Sequence, residues 1–314
     1  MELQVFSELQ KQAADILPTR HIGLGELVAV DGSFIDSVLS MTWAEYQTQS
    51  NKAKLHLGFD LTHGIPKSLI LTEGNGAERP QVSSLVQPGQ TAVLDRGYQD
   101  HERFDQWRED GRHFICRIKE NTHRTTLEEL PLAGGSPASF DAKVILGVPS
   151  GRQTKTPVRV VGFESGGVHY LIATDRFDLT AEQVMLAYKL RWHIETFFGW
   201  WKKYLHVYHL FARSKNGMLV QILSGLITYI CCWRSTATKT IVSGCPSAEC
   251  GNSATKSRTR PASSSAPIRW DHAAKRSGNE GRSGKYMQFP NRTMLVRRTN
   301  YNPQKSWLNN RPAN

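Results

Sequence analysis

The chain has 314 residues, 39% of them apolar, enough to bury the core of one large domain or two small ones. Its formal charge of +11 lies in one place: residues 236–314 hold 14 Lys and Arg against 3 Asp and Glu (14 − 3 = +11), whereas residues 1–235 hold 25 of each. Bulk basicity is thereby excluded as a signal for nucleic-acid binding by the folded part, where any anion contact must come from local patches.

Residues 1–21 predict a polar amphipathic helix rather than a signal peptide. Leu27–Val30 is a short apolar run ending at Asp31-Gly32-Ser33, which reads as a buried strand followed by a turn. Residues 53–61 and 67–73 are two further strands, and His63-Gly64-Ile65-Pro66 between them supplies hairpin chemistry. A short helix is expected near 78–86. Residues 91–95 (TAVLD) form a strand ending on an acid, residues 100–110 a helix, and residues 113–118 a fifth strand. This order predicts a mixed-sheet α/β layer fold. Residues 121–139 are polar and contain Gly and Pro, so they read as a loop. Three β-type segments follow, at 142–149, 156–164 and 168–174.

The next helix is the best defined. Thr180-Ala-Glu-Gln183 is a capping-box pattern, and no Gly or Pro follows until Gly199. At about 100° per residue from Tyr188, Leu190, Ile194, Phe197 and Trp201 fall between about 180° and 240°. Tyr188, Arg191, Glu195 and Lys202 share the opposite face. Met218–Trp233 is 16 residues long and contains Gln221, Ser224 and Thr228. A membrane span needs about 20 apolar residues, so a buried helix is expected. Residues 236–314 show neither helical nor strand periodicity and have a disorder-like composition. Out-of-frame translation beyond residue 235 would account for them. Five cysteines, with one adjacent pair and no Cys-x2-Cys, argue against a disulfide framework and a zinc site.

The acids carry the chemistry. Phosphodiester cleavage without a covalent enzyme intermediate needs an activated water and charge neutralisation at the leaving oxygen. Two divalent ions about 3.5–4 Å apart supply both, held by carboxylates that converge from distant positions. Asp31 and Asp95 each close a predicted strand, and Glu195 projects from a helix whose other face is apolar. Each acid alone reads as a turn or surface residue; the three in this order, on an α/β frame, read as a site. His206-x2-His209 lacks completing ligands, Gly74-Asn-Gly76 is no phosphate loop, and Asp60 reads as a turn acid.

Val-Asp-Gly-Ser at 30–33, Leu-Asp-Arg-Gly-Tyr at 94–98 and Tyr188-x2-Arg191-x3-Glu195-x6-Lys202 resemble the DDE transposases of insertion-sequence family four. The stretches HLGFDLTHGIP, TEGNGAERP, ATDRFDLTAE and YKLRWHIETFFGWWK look like the same group, and the likeness covers residues 15–233. It implies an RNase H-like core over 27–120, a β-strand insertion over 121–178 and catalytic helices over 179–235. A helical remnant (1–26) precedes these and a basic tail (236–314) follows. It implies cut-and-paste transposition, with strand cleavage at the element's ends and attack by the freed 3′-OH. Asp31, Asp95 and Glu195 would bind two Mg²⁺ (or Mn²⁺) ions, and Tyr188, Arg191 and Lys202 would contact phosphates. Arg96 is a DNA contact or half of a structural ion pair, Tyr98 recurs beside the acid as a further DNA-contact candidate, and Trp192 or Trp200 either packs or stacks a base. The implied partners are double-stranded DNA (terminal inverted repeats and target) and a second copy in the synaptic complex, in the bacterial cytoplasm at the nucleoid, with no membrane. Most of the N-terminal repeat-binding region of such enzymes is expected to be missing. An inactive fragment that binds DNA or a full-length partner, or a general nuclease, are the rival expectations.

Overall fold

The computed structural model describes residues 2–17, 19, 21, 23–36, 42–47, 50–205, 210, 212, 214–243, 285–289 and 292–296. In chain order these form α1 (Glu2–Ile16), β1 (Leu27–Asp36), β2 (Glu45–Gln47), β3 (Ser50–Asp60), β4 (Ile65–Glu73), α2 (Val82–Leu85), β5 (Thr91–Leu94), α3 (His101–Glu109) and β6 (His113–Ile118). Then come β7 (Arg124–Glu129), β8 (Ala138–Leu146), β9 (Val158–Ser165), β10 (Val168–Thr174), α4 (Ala181–Leu190), α5 (Trp192–Leu205) and α6 (Lys215–Ser243). Residues 273–314 belong to a separate unit, whose described part is the antiparallel pair β11 (Lys285–Phe289) and β12 (Arg292–Val296).

The heart of the sheet runs β4-β3-β1-β5-β6. Strand β3 is antiparallel to both β4 and β1, and β1, β5 and β6 are parallel. That order and sense are the RNase H-like arrangement. Side chains alternate across it. Val28, Val30, Ala92, Leu94, Phe114 and Cys116 pack on α2 and α3 through Val82, Leu85, Phe104 and Trp107. The other face meets α4, α5 and α6, with Phe59 of β3 5.3 Å from Phe197 of α5 between ring centroids. Close approach is built in where α6 crosses α5: a Cβ at Gly225 would lie 2.8 Å from the Trp201 indole nitrogen.

The insertion continues the same sheet. β10 pairs antiparallel with β6, Ala173 opposite Cys116, and β9, β8 and β7 follow outward. A buried bidentate pair, Arg159 Nε and Nη2 on Asp141 at 2.8 and 2.6 Å, ties β8 to β9.

Four expectations need correction. Gly32 and Ser33 are not a turn, because β1 runs on to Asp36 and pairs with β3 along its length. Residues 124–129 are a strand rather than loop; alternation is invisible there because β7 is exposed on both faces. The helix begun by the Thr180–Gln183 box, which is formed as predicted, breaks at Arg191 into α4 and α5. There the backbone tightens to i−3 bonds, Arg191 N–H to Tyr188 O and Ile194 N–H to Arg191 O, both 3.1 Å. Finally, α6 continues past Trp233 to Ser243, and part of the tail forms strands. Residues Lys215–Ser235 are long and apolar enough to cross a membrane by length and composition. Yet Met218, Ile222, Leu226, Tyr229 and Trp233 are buried on one stripe, and Tyr229 and Trp233 donate to the carbonyls of Gly64 and His63.

Candidate active site

Backbone register brings the first two acids together. β1 and β5 pair Ala29 with Val93, so two residues further on Asp31 stands level with Asp95, on the same face. Asp95 itself follows β5 with extended backbone, φ −81° and ψ 169°. Burial pushes the Asp31 carboxyl up to about 6; the Gly32 N–H at 2.8 Å and the charge of Arg191 offset only part of that. Glycine at 32 serves the strand by leaving space. A Cβ there would lie 2.9 Å from Glu78 Oε1 and 3.1 Å from Lys54 Cε, and these two side chains are ion-paired at 2.5 Å.

The helical residues meet the acids from above. Tyr188, near the end of α4, is buried, and its hydroxyl donates to Asp95 Oδ1 at 3.4 Å. Burial pushes that phenol up to about 12. Arg191 sits at the break between α4 and α5, also buried, and donates to Glu195 Oε1 at 2.6 Å across one helical turn. Its guanidinium carbon lies 5.7 Å from the Tyr188 ring centroid. Despite burial, the negative groups around Arg191 hold its pKa above the ordinary value. Lys202, two turns along α5, is half-buried; burial lowers its pKa, while the charges of Asp36 and Asp31 work against that.

Asp31, Asp95, Tyr188, Arg191, Glu195 and Lys202 therefore share one electrostatic neighbourhood. Among the described residues, no three His, Cys, Asp or Glu side chains are gathered closely enough to hold a metal ion as they stand. The donor chemistry nevertheless fits a hard divalent cation. Asp31 is a largely shielded carboxyl, Asp95 is its neighbour, and among the described residues Asp31 has no ion pair and the second oxygen of Glu195 no hydrogen bond.

The remaining candidates separate. Arg96 is exposed on the short 3-10 turn after Asp95. Tyr98 is 2% exposed and belongs to the core cluster of α2 and α3, so it supports the sheet and is not presented to a nucleic acid. The turn folds its ring under the strand ends, Tyr98 N–H bonding to Asp95 O at 3.0 Å. Trp192 is 58% exposed, whereas Trp200 is buried. Asp60 is a turn acid, as expected, capping Thr62 and pairing with His63 at 2.8 Å. His206 and His209 lie outside the described residues. Glu78, Lys54 and Arg117 were not foreseen, since no local spacing ties them to the acids.

Comparison with known proteins adds an independent line. The family described as transposase DDE domain matches residues 23–231, more than half of the chain. A protein of Geobacillus stearothermophilus named as a transposase for insertion sequence element IS5377 is 29% identical over 192 residues, covering 60% of this chain and 51% of that one. A Sinorhizobium fredii protein named as transposase y4zB is 24% identical over 218 residues, covering 67% and 61%. A Synechocystis protein named as a transposase for insertion sequence element IS4SA is 22% identical over 215 residues, covering 65% and 59%. The chain thus spans between about half and three fifths of the length of these relatives.

Proposed function

Because this chain belongs to the transposase DDE-domain family, we propose that it cuts DNA at the ends of an insertion sequence and joins the freed ends to a target. The observation that carries this reading is the register of Asp31 beside Asp95, with the Arg191–Glu195 pair close to both. In the first step, water attacks the phosphorus at the element's end and a 3′-OH leaves. In the second, that hydroxyl attacks a target phosphodiester and a new 3′-OH is released, so the number of phosphodiester bonds is unchanged.

Asp31, Asp95 and Glu195 would hold the divalent ions, Mg²⁺ with Mn²⁺ as a substitute. When bound, these ions supply charge neutralisation at the attacking and leaving oxygens. Arg191 orients Glu195 and offers its remaining donors to phosphate. Tyr188 orients Asp95 through its hydroxyl. Lys202 and the exposed Arg96 add point and fork charges for the DNA backbone. The Tyr188-Arg191-Glu195-Lys202 spacing supports insertion-sequence family four as the subgroup in this reading. Its partners in this reading are inverted-repeat and target DNA and a second copy of the chain, at the bacterial nucleoid.

The test is a cleavage assay on DNA carrying the repeats that flank the gene, with Mg²⁺ or Mn²⁺ and Glu195→Ala as control. Nicking at the element's ends that needs metal and Glu195, followed by joining to target DNA, is the expected result. No metal-dependent, Glu195-sensitive nicking overturns the reading. Nicking without joining reduces the chain to a nuclease.

A further inference from the structure

The row formed by the two acids has a third member. β5 and β6 pair Leu94 with Cys116, so the extended backbone at Asp95 carries the next step to Arg117. Arg117 lies one strand beyond Asp95, on the face shared by both acids, while its neighbour Cys116 points into the opposite core. One ring holds it there, itself packed against a second. Its guanidinium carbon is 4.4 Å from the Tyr170 centroid, and Tyr170 is 6.2 Å from Tyr188, whose hydroxyl reaches Asp95. The positive charge of Arg117 also acts on the Tyr188 phenol.

Its surroundings differ from those of Arg191 and Arg79. Arg191 is paired with Glu195, and Arg79 bonds Gly97 O and approaches Asp100. Among the described residues, the half-buried Arg117 guanidinium has no carboxylate and no hydrogen-bond acceptor, only the Tyr170 ring against one face. A guanidinium stacked on a ring keeps its edge donors available, with much of its rotamer freedom already removed. That edge is suited to a planar or tetrahedral oxyanion.

We propose that Arg117, stacked on Tyr170, grips a backbone phosphate of the DNA strand next to the one that is cut, on the Tyr188 side of the site. The inference rests on the strand-cleavage reading above and adds to it a residue outside the Asp, Tyr, Arg, Glu and Lys set. One inter-strand spacing, about 4.8 Å, separates its backbone from that of Asp95, so the phosphate it meets neighbours the scissile one.

The test is a binding measurement in EDTA, where no strand is cut. The probe is a duplex from the end of the element, with its phosphates replaced one at a time by uncharged methylphosphonate. Wild-type protein loses about tenfold in affinity at one position beside the cut. Arg117→Gln loses about tenfold on unmodified DNA, shows a salt slope lower by about one, and loses nothing more at that position. Arg117→Lys keeps the slope and recovers part of the affinity. Arg117→Met, which retains the stem against Tyr170, repeats the comparison should the Gln variant unfold. Neutral variants that bind like wild type, or that lose the same factor as wild type at every position, overturn the role of Arg117 alone. Wild-type protein that binds no duplex overturns both this role and the cleavage reading.

Discussion

Asp31 and Asp60 stand on paired strands, both largely shielded from water, and the chain treats them in opposite ways. Burial works against the charge of each. At Asp60 the hydrogen bond and charge of His63, with the backbone N–H groups of Thr62 and His63, outweigh it and hold the carboxyl below its ordinary range. At Asp31 one backbone N–H and the charge of Arg191 do not, and the carboxyl rises to about 6. The chain supplies a complete set of partners to the acid that builds a turn. It leaves incomplete the acid proposed to receive a cation. Unmet electrostatic demand, rather than the presence of an acid, separates a site from scaffolding here.

The largest effect that tests this contrast is on cleavage. Asp31→Asn or Asp95→Asn should lower metal-dependent nicking by roughly a thousandfold in the flanking-repeat assay, by loss of electrostatic stabilisation of the reacting phosphate. Asp60→Asn should leave nicking within a few fold. Equal losses in both would erase the distinction. Next is Arg191→Ala, expected to cost about a hundredfold in nicking because Glu195 loses its anchor and phosphate loses a fork; Arg191→Lys should restore part of it.

Stability should run the other way. Asp31→Asn in EDTA is expected to raise the free energy of unfolding at pH 7, by no more than about 3 kcal/mol, since about 1.4 kcal/mol corresponds to each pKa unit. Asp60→Asn should lower it by about 1–2 kcal/mol, because it weakens bonds to a histidine and two partly buried backbone amides. Urea denaturation measures both, and a destabilised Asp31→Asn would contradict the account. Gly32→Ala should cost about 1 kcal/mol, since the Glu78 and Lys54 side-chain ends must retreat from the new methyl.

The smallest effect is on pH dependence in EDTA. The lowered Asp60 contributes stability that is lost as pH falls through its folded value, and the raised His63 contributes stability that is lost as pH rises through its own. Asp31, raised, adds a penalty that grows between pH 3.8 and about 6. Wild-type stability should therefore peak on the acid side of neutrality and decline toward pH 8. Asp31→Asn should flatten the part of that decline below pH 6, and His63→Ala the part above it. Unchanged curves in both variants would show that neither group is coupled to folding.

The acids, the capping box and the alternation of strands with helices were legible because each is a local signal. A buried strand reads as an apolar run, Thr180 and Gln183 are three residues apart, and Tyr188 through Lys202 repeats at helical spacing. The amino-acid sequence by itself therefore determined the candidate residues and a mixed α/β order of elements, and the family likeness of its motifs pointed to the RNase H-like arrangement. Pairing across the sheet decided the rest. β1 continues through Gly32 because β3 lies beside it and Glu78 fills the space that glycine leaves. β7 is a strand because β8 binds its edge. The break at Arg191 goes with a guanidinium that faces both the Tyr188 ring and Glu195. Arg117 joins the site through a register fixed by parallel hydrogen bonds between residues 22 apart, Leu94 and Cys116. Such interactions act between chain segments whose separation bears no fixed relation to a period of 2 or 3.6, so only the folded structure brings them into contact.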